Sequence, residues 1–172
     1  MPLVKNGQIT HDQFVFVSDE SPISDSGPVV VSAARFLTDP ESLLRRNANT
    51  GVLWPNNRKI SELAPYLDRL GLVALVFPNF RDGRAYSQAR LLRERYGYRG
   101  ELRATGQILR DQFLFLLRAG FDTLDVLKEA DVPAMADVLR RYSVFYQPTG
   151  DGRLTAAQAR LSQHQTYSGI GR

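Results

Sequence analysis

The 172-residue sequence contains no cysteine. Disulfides, a thiolate nucleophile and cysteine-ligated zinc or iron–sulfur clusters are therefore excluded. The sequence also lacks an apolar run of about 18 residues, which a membrane-spanning helix requires. Its first residues, MPLVKNGQIT, contain no apolar stretch of the kind found in secretory signals. These absences favour a cytoplasmic protein with no membrane partner.

Histidine and lysine are scarce, and nucleotide-binding motifs are missing. His11 and His164 fall in peripheral segments, so neither a Ser-His-acid triad nor a histidine metal site is expected. A tyrosine-based reductase would need a lysine near Tyr86, but the three lysines lie elsewhere in the sequence. Neither G-x-G-x-x-G after a strand nor G-x-x-x-x-G-K-S/T occurs. The cofactor is therefore unknown, and a flavin site without a motif stays open.

The charge balance is basic, with a formal net charge of +4 and a pI of about 9.6. The arginines are spread from Arg35 to Arg172 and are interleaved with acidic residues. No basic tract and no nucleic-acid-binding signature accompanies them. A site for a small anion explains them more economically than a nucleic-acid groove, so we expect no nucleic-acid partner.

From residue 39 onward, apolar strand-like segments alternate with helical ones. The run from Leu72 to Phe77 is almost continuously apolar, which is typical of a strand buried on both faces. This alternation predicts right-handed βαβ units and a mostly parallel α/β sheet. The units are too few for an eight-fold barrel, which leaves an open doubly wound sheet or a partial barrel. The other strands predicted here are Gly51 to Trp54, Glu101 to Thr105 and Thr123 to Leu127.

Helices are predicted between and after these strands. Thr38 or Asp39 caps the first helix, which has Pro40 in its first turn, and Ser61 caps the second. The helical segments are LTDPESLLRR, ISELAPYLDRLG, YSQARLLRERYG, ILRDQFLFLLRAG and VPAMADVLRRYSVFY.

We expect one domain over residues 1–172, with a βα core at 39–146. Residues 1–38 predict irregular structure with two strands, Phe14 to Ser18 and Val29 to Ser32. Residues 147–172 are rich in Gly, Gln, Ser and Thr, and predict a mobile tail. One short helix, around Thr155 to Ser162, is expected within it.

Between Leu72 and Val126 the sequence contains five motifs in this order: FPNF, DGRAYS, ARLLRERYGYRGELRA, LRDQ and GFD. This stretch resembles the core of a proteobacterial domain-of-unknown-function family, number nine-three-four. Members of that family are commonly labelled oxidoreductase-like, and their genes often lie beside assimilatory sulfite reductase. The resemblance implies a role in that pathway, with sulfite reductase or its electron donor as partner. This chain departs from the family pattern at Arg81, Ala85 and Gln107.

Polar side chains follow three of the predicted strands. Because the carboxyl ends of parallel strands meet at one edge of a sheet, these side chains are expected to converge on one site. The candidate ligand-binding residues are Asn56 and Asn57 after the first strand, Asn79, Arg81, Asp82, Gly83 and Arg84 after the second, and Gln107, Arg110 and Asp111 after the third.

The DGR segment predicts how an anion would be held there. Asp82 can cap the following helix, Gly83 allows close backbone approach, and Arg81 or Arg84 can donate two hydrogen bonds to an oxyanion. The alternative is that Asp82 only caps and that Arg84 only pairs with a carboxylate such as Glu101. Catalytic residues are unknown: helix-face packing suits Tyr86, and a helix first turn suits Asp111.

The run from Phe113 to Leu117 is apolar on nearly all sides, which predicts a buried helix or a contact between subunits of a homo-oligomer. The resemblance implies the pathway and the residues predict the anion site, so we favour an accessory protein of assimilatory sulfite reduction that binds an anion. Two alternatives remain. One is an independent flavin- or nicotinamide-dependent oxidoreductase, and the other is a small-metabolite binding module outside sulfur metabolism.

Overall fold

A computed structural model describes residues 1–141, 145–146, 149, 155–158 and 160–161. In these residues, eight strands form one sheet in the order β2-β1-β8-β7-β6-β5-β4-β3. The strands are β1 (Leu3–Lys5), β2 (Gln8–Thr10), β3 (Val15–Phe16), β4 (Val29–Ser32), β5 (Thr50–Trp54), β6 (Leu72–Phe77), β7 (Glu101–Gly106) and β8 (Thr123–Asp125).

The sheet is mostly parallel. Each strand from β3 to β8 pairs in parallel with the next one, whereas β1 is antiparallel to both β8 and β2. Helices lie between the strands, and the sheet curls into a half-barrel. The predicted α/β fold is confirmed, and of the two arrangements considered the partial barrel is the correct one.

The N-terminal hairpin of β1 and β2 was missed by the sequence analysis, which predicted irregular structure there. Lys5 pairs with Gln8, so the loop between them has only two residues. Asn6 (φ 52°) and Gly7 (φ 78°) both have positive φ, as a type I′ turn demands. The Asn-Gly pair between two alternating segments was the signal that could have revealed this hairpin.

The α-helices are shorter than predicted. Some of the predicted helical residues instead form 3₁₀ or π-helical turns. The helix predicted after β5 is instead two 3₁₀ segments, Ile60–Glu62 and Ala64–Arg69, preceded by Lys59 rather than by Ser61. Pro65 has no N–H to continue an α-helical ladder, which explains the break. The α-helices are α1 (Ala33–Thr38), α2 (Pro40–Leu44), α3 (Arg84–Arg90), α4 (Phe113–Arg118) and α5 (Val132–Arg141).

The predicted first helix corresponds to α2, and its cap is confirmed because the Asp39 side chain accepts a hydrogen bond from Ser42 N. Helix α1, directly after β4, was not predicted. A π-helical turn, Leu91–Arg95, extends α3, and a 3₁₀ turn, Arg110–Gln112, leads into α4.

The C-terminal predictions are only partly covered by the described residues. Helix α5 ends at Arg141, and Phe145 instead forms a β-bridge with Thr155. Residues 156–158 and 160–161 are helical, within the short helix predicted for the tail. Apart from residue 149, the remaining tail residues, including His164, lie outside the described part of the chain.

One face of the parallel strands packs against the helices. This outer face is apolar because alternate residues of each strand point to it. Phe36, Leu92, Phe113 and Leu116 of the helical layer are also fully buried. The buried outer-face residues are Val29, Val31, Val52, Trp54, Val73, Leu75, Phe77, Leu102, Ala104, Leu124 and Val126.

The opposite, concave face is called the inner face here, and it carries a buried ion cluster. Arg103 is only 5% exposed. Its guanidinium donates to both carboxylate oxygens of Asp12, at 2.6 and 2.9 Å, and to Glu101 Oε1 at 2.9 and 3.0 Å. Thr123 Oγ1 donates to the same oxygen of Glu101 at 2.7 Å. One cation is therefore matched by two carboxylates.

Residues 11–14 form a strap that joins β2 to β3, at opposite edges of the sheet, and so crosses the inner face. Asp12 fixes the strap to Arg103. The Phe14 ring lies 6.0 Å from the Arg103 guanidinium carbon. The strap thus covers part of the inner face.

Candidate functional site

Three loops lie side by side at the carboxyl edge of the sheet. Because β5 pairs in parallel with β6, and β6 with β7, the loops that follow these strands share that edge, as predicted. The ends of β6 and β7 are joined closely, since Gln107 N donates to the carbonyl of Phe77 at 2.8 Å. Gly106 has φ 101°, and a Cβ there would lie 2.4 Å from that carbonyl oxygen, so only glycine fits.

The loop between β6 and α3 is shaped by its own side chains. Asn79 Oδ1 accepts a hydrogen bond from Arg81 N at 2.9 Å, and Asp82 Oδ1 accepts one from Arg84 N at 3.2 Å. Asp82 therefore accepts the backbone hydrogen bond that was predicted, although the N-cap residue of α3 is Gly83. The Asp82 carboxylate occupies the start of α3, where a bound anion would otherwise receive backbone N–H groups.

Arg84 pairs with Asp82 and not with Glu101, which binds Arg103 instead. The Arg84 Nε and Nη2 atoms donate to the two carboxylate oxygens of Asp82 at 2.9 and 2.6 Å. The Arg84 side chain holds the pKa of Asp82 well below its usual 3.8, and Asn56 lowers it further. The guanidinium of Arg84 is therefore largely engaged within its own loop.

Asn56 is the one buried member of the predicted set, and buried polar atoms surround it. Its side chain is close enough to Asp82 to lower the pKa of that carboxyl, although its Nδ2 reaches no acceptor at hydrogen-bond geometry within the described residues. Gln88 of α3 donates to the carbonyls of Pro55 and Arg58, at 3.2 and 2.9 Å. Gln88 was not predicted, and it fixes the loop that carries Asn56.

Gln112 links the second loop to the third, and it too was missed. Its Nε2 donates to the carbonyl of Phe80 at 3.0 Å, while its Oε1 accepts from Leu109 N at 3.0 Å. Arg81 directly follows Phe80, and Arg110 directly follows Leu109, so each arginine lies next to a residue that Gln112 binds. Both are exposed, and neither forms an ion pair within the described residues.

The other predicted residues lie on the surface of this edge. Asp111 is in the 3₁₀ turn that precedes α4, as expected for an acidic residue in a helical first turn. Tyr86 packs edge-to-face on Phe77 with ring centroids 5.2 Å apart, which agrees with the packing role. Burial raises the pKa of Tyr86 to about 12, so its hydroxyl is neutral at physiological pH. The exposed remainder are Asn57, Asn79, Gly83 and Gln107.

Residues 51–157, which include all three loops, match the family described as "Bacterial protein of unknown function (DUF934)". The chain belongs to this family. The match spans β5 to β8 and helices α3 to α5, so the carboxyl edge is part of the family's common segment. No curated protein matches the chain.

Two features are absent from the described residues. No group of three or more His, Asp or Glu side chains is placed to hold a metal ion there. None of the helices in the same residues has the length and apolar character needed to cross a membrane.

Proposed function

We propose that the protein is a cytoplasmic accessory component of assimilatory sulfite reduction that binds a small oxyanion at the carboxyl edge of its sheet. The family resemblance of the segment Leu72 to Val126 supports the assignment to this pathway. The arginines of two adjoining loops support an oxyanion as the ligand, because a guanidinium binds such anions through paired hydrogen bonds.

Arg81 and Arg110 carry the proposal. Each is exposed and without an ion pair in the described part of the chain. The bond from Gln112 to Phe80 connects their loops. The Arg81 guanidinium carbon lies 5.3 Å from the Phe80 ring centroid, which restrains the charge near that connection. Two cations without counter-charges on linked loops attract an anion.

Arg84 has a smaller share in this proposal. With Asp82 it forms a locally neutral pair, so it can donate to a ligand only with donors that Asp82 leaves free. The amides of Asn57, Asn79 and Gln107 are exposed at the same edge and can add neutral hydrogen bonds. Asp82 shapes the loop and does not contact the anion.

Calorimetric titration with sulfite, sulfate and phosphate tests the site. Removing one charged donor costs about 1.5–3 kcal/mol, or roughly ten- to a hundred-fold in affinity, so Arg81→Ala and Arg110→Ala should each weaken sulfite binding by that factor. Arg81→Lys should recover part of the loss, because it restores charge without the planar fork. Binding should also weaken with salt.

Arg99→Ala is the matched control, since Arg99 is exposed and lies two residues before β7 at the amino edge. It should leave the affinity unchanged. The site assignment is wrong if wild type and the Arg81→Ala, Arg110→Ala double variant bind every anion equally.

A separate experiment tests the pathway. Affinity capture from sulfur-starved cells should retain sulfite reductase or its electron donor on the wild-type protein. If sulfite binds but neither protein is captured, the anion site stands and the accessory role fails. A bound flavin visible in the absorbance spectrum of purified protein would favour the oxidoreductase alternative.

The proposal includes a homo-oligomer formed through α4. Phe113 and Leu116 of this helix are fully buried within the chain, whereas Phe115 is 65% exposed. Tyr146, 90% exposed, lines the same groove. Exposed aromatic side chains in one patch are typical of protein contacts. Light scattering at micromolar concentration should show a mass above that of one chain, and Phe115→Ser should lower it.

A further inference from the structure

The inner face contains a cavity that the proposed anion site does not use. Its volume is about 310 Å³, and it lies between the sheet and the segment that carries the strap and β3. Cavities of about 300–1,000 Å³ are typical of small-molecule sites. The size is sufficient for one small organic molecule.

One wall of this cavity is apolar. Val30, Leu53 and Ala74 contribute side chains from three neighbouring strands, and Phe16 adds an aromatic ring from the edge strand β3. Phe16 is 58% exposed, although burial of an aromatic ring is favourable. The wall therefore offers an apolar surface to the body of a ligand.

The opposite wall carries an excess of negative charge. Arg103 is already matched by Asp12 and Glu101, and Asp125 is a further carboxyl with no ion pair within the described residues. Burial raises the pKa of Asp125, and Asp12 raises it further, while Thr105, Arg103 and the N-terminal ammonium oppose the change without forming an ion pair. A cation would supply the partner that this carboxyl lacks.

Asp125 and Thr105 lie at the carboxyl ends of their strands. Asp125 is the last residue of β8, and Thr105 is the penultimate residue of β7. Ligands of parallel α/β proteins bind at this end of the sheet, where strand ends present polar groups without disturbing the core. The polar end of the cavity thus lies towards the edge at which this class of fold binds small molecules.

We propose that the inner-face cavity binds a small organic cation. Its ammonium or amidinium group pairs with Asp125 beside Thr105, and its apolar body packs on Phe16, Val30 and Leu53. The strap, held by Asp12, covers the side of the site that faces away from the sheet. This site is independent of the anion site, because it lies on the face of the sheet and uses none of the loop arginines.

Titration with three compounds of matched shape tests the charge requirement: 2-phenylethylamine, 2-phenylethanol and phenylacetate. The amine should bind roughly ten- to a hundred-fold more tightly than the alcohol, as a charge-assisted hydrogen bond implies, and phenylacetate should bind most weakly. In wild-type protein, the amine should shift the backbone NMR signals of Ala74, Thr105 and Asp125.

Two variants with matched controls locate the contacts. Asp125→Asn should abolish the preference for the amine over the alcohol, whereas Asp68→Asn, at an exposed position before β6, should keep it. Phe16→Ala should weaken the amine and the alcohol alike. Val15→Ala, one residue away in β3 and not lining the cavity, should weaken neither.

The proposal is overturned if wild-type protein does not bind the amine at millimolar concentration, or if the shifted signals lie away from the inner face. It is also overturned if Asp125→Asn retains the preference for the amine. Since the NMR map uses the wild-type protein, the conclusion does not depend on the folding of any variant.

Discussion

The two faces of the half-barrel are buried in opposite ways. The outer face buries apolar side chains such as Val52 and Leu75 under helices, and any similar side chain of the right volume would serve there. The inner face buries Arg103 against two carboxylates, where each member depends on the others. The first kind of burial tolerates substitution, whereas the second specifies its partners and so fixes where the strap crosses the sheet.

The largest expected effect comes from Arg103→Met. This change leaves Asp12 and Glu101 facing each other without a cation and should lower the free energy of unfolding by about 3–5 kcal/mol at neutral pH. The outer-face counterpart, Leu75→Ala, should cost about 2–5 kcal/mol through loss of apolar contact and a cavity. Urea denaturation of both variants measures these changes.

The stability losses of the two variants should also differ in their dependence on pH. Hydrogen bonds from Arg103 and from the Phe14 backbone outweigh the effect of burial and hold the pKa of Asp12 below its usual 3.8. The cost of Arg103→Met should therefore be present at pH above 3.8 and shrink as pH falls below it. The cost of Leu75→Ala should not follow the titration of Asp12. Equal pH dependence in both variants would contradict the comparison.

Asp12→Asn should have the next largest effect. It removes the charge that holds the strap but leaves Glu101 on Arg103, so we expect a loss of about 1.5–3 kcal/mol at pH 7. Since the folded pKa of Asp12 is depressed, this stabilisation is lost as pH falls through that lower value. Urea titrations at pH 7 and at acid pH measure it, and Asp68→Asn should differ from wild type at neither.

Arg84 and Asp82 also form an Arg–Asp ion pair, but it is exposed, so its loss should lower stability less. Arg84→Met should lower stability far less than Arg103→Met, because water already solvates both charges. Asp82→Ala should lower stability slightly through the lost hydrogen bond to Arg84 N. Thermal unfolding in low and high salt is the measurement. A cost for Arg84→Met as large as that for Arg103→Met would show that burial does not decide the strength of these pairs.

Asp125→Asn should give the smallest change, and of opposite sign. Burial raises the pKa of this carboxyl above 3.8, so ionisation opposes folding. The stability of wild type should fall as pH rises from 3.8 through the folded pKa, and the variant should lack that loss. The variant should thus be slightly more stable than wild type at pH 7 and equal to it at low pH. A less stable variant at pH 7 would mean that Asp125 already has a cationic partner.

Much of the outer face could be predicted from the sequence because its signals are local. The apolar run from Leu72 to Phe77 indicates a doubly covered strand, and alternation with helices indicates parallel pairing. The convergence of the loops follows from that pairing. Asp39 was recognised as a cap, and Asp82 as an acceptor at the start of α3, because the backbone N–H groups that donate to them lie only two or three residues away.

The inner face could not be predicted in this way. Asp12 and Arg103 are 91 positions apart, and each lies in a segment whose local pattern suggests only a loop or a strand. The role of Gln112 depends on a loop 32 positions away. Such contacts are set by the curl of the sheet, which short-range periodicity does not encode. The missed hairpin is different, because its Asn-Gly turn was visible in the sequence.

Strand β1 pairs with β8, the last of the eight strands in sequence, and Leu3 lies opposite Asp125. During synthesis on a ribosome, the N-terminal hairpin therefore emerges long before its docking site exists. The parallel strands from β4 to β7 can assemble from neighbours close in sequence, whereas docking of the hairpin and strap closes the longest loop of the fold and carries the highest entropic cost. The hairpin, although made before β8, is thus among the last segments to become fixed.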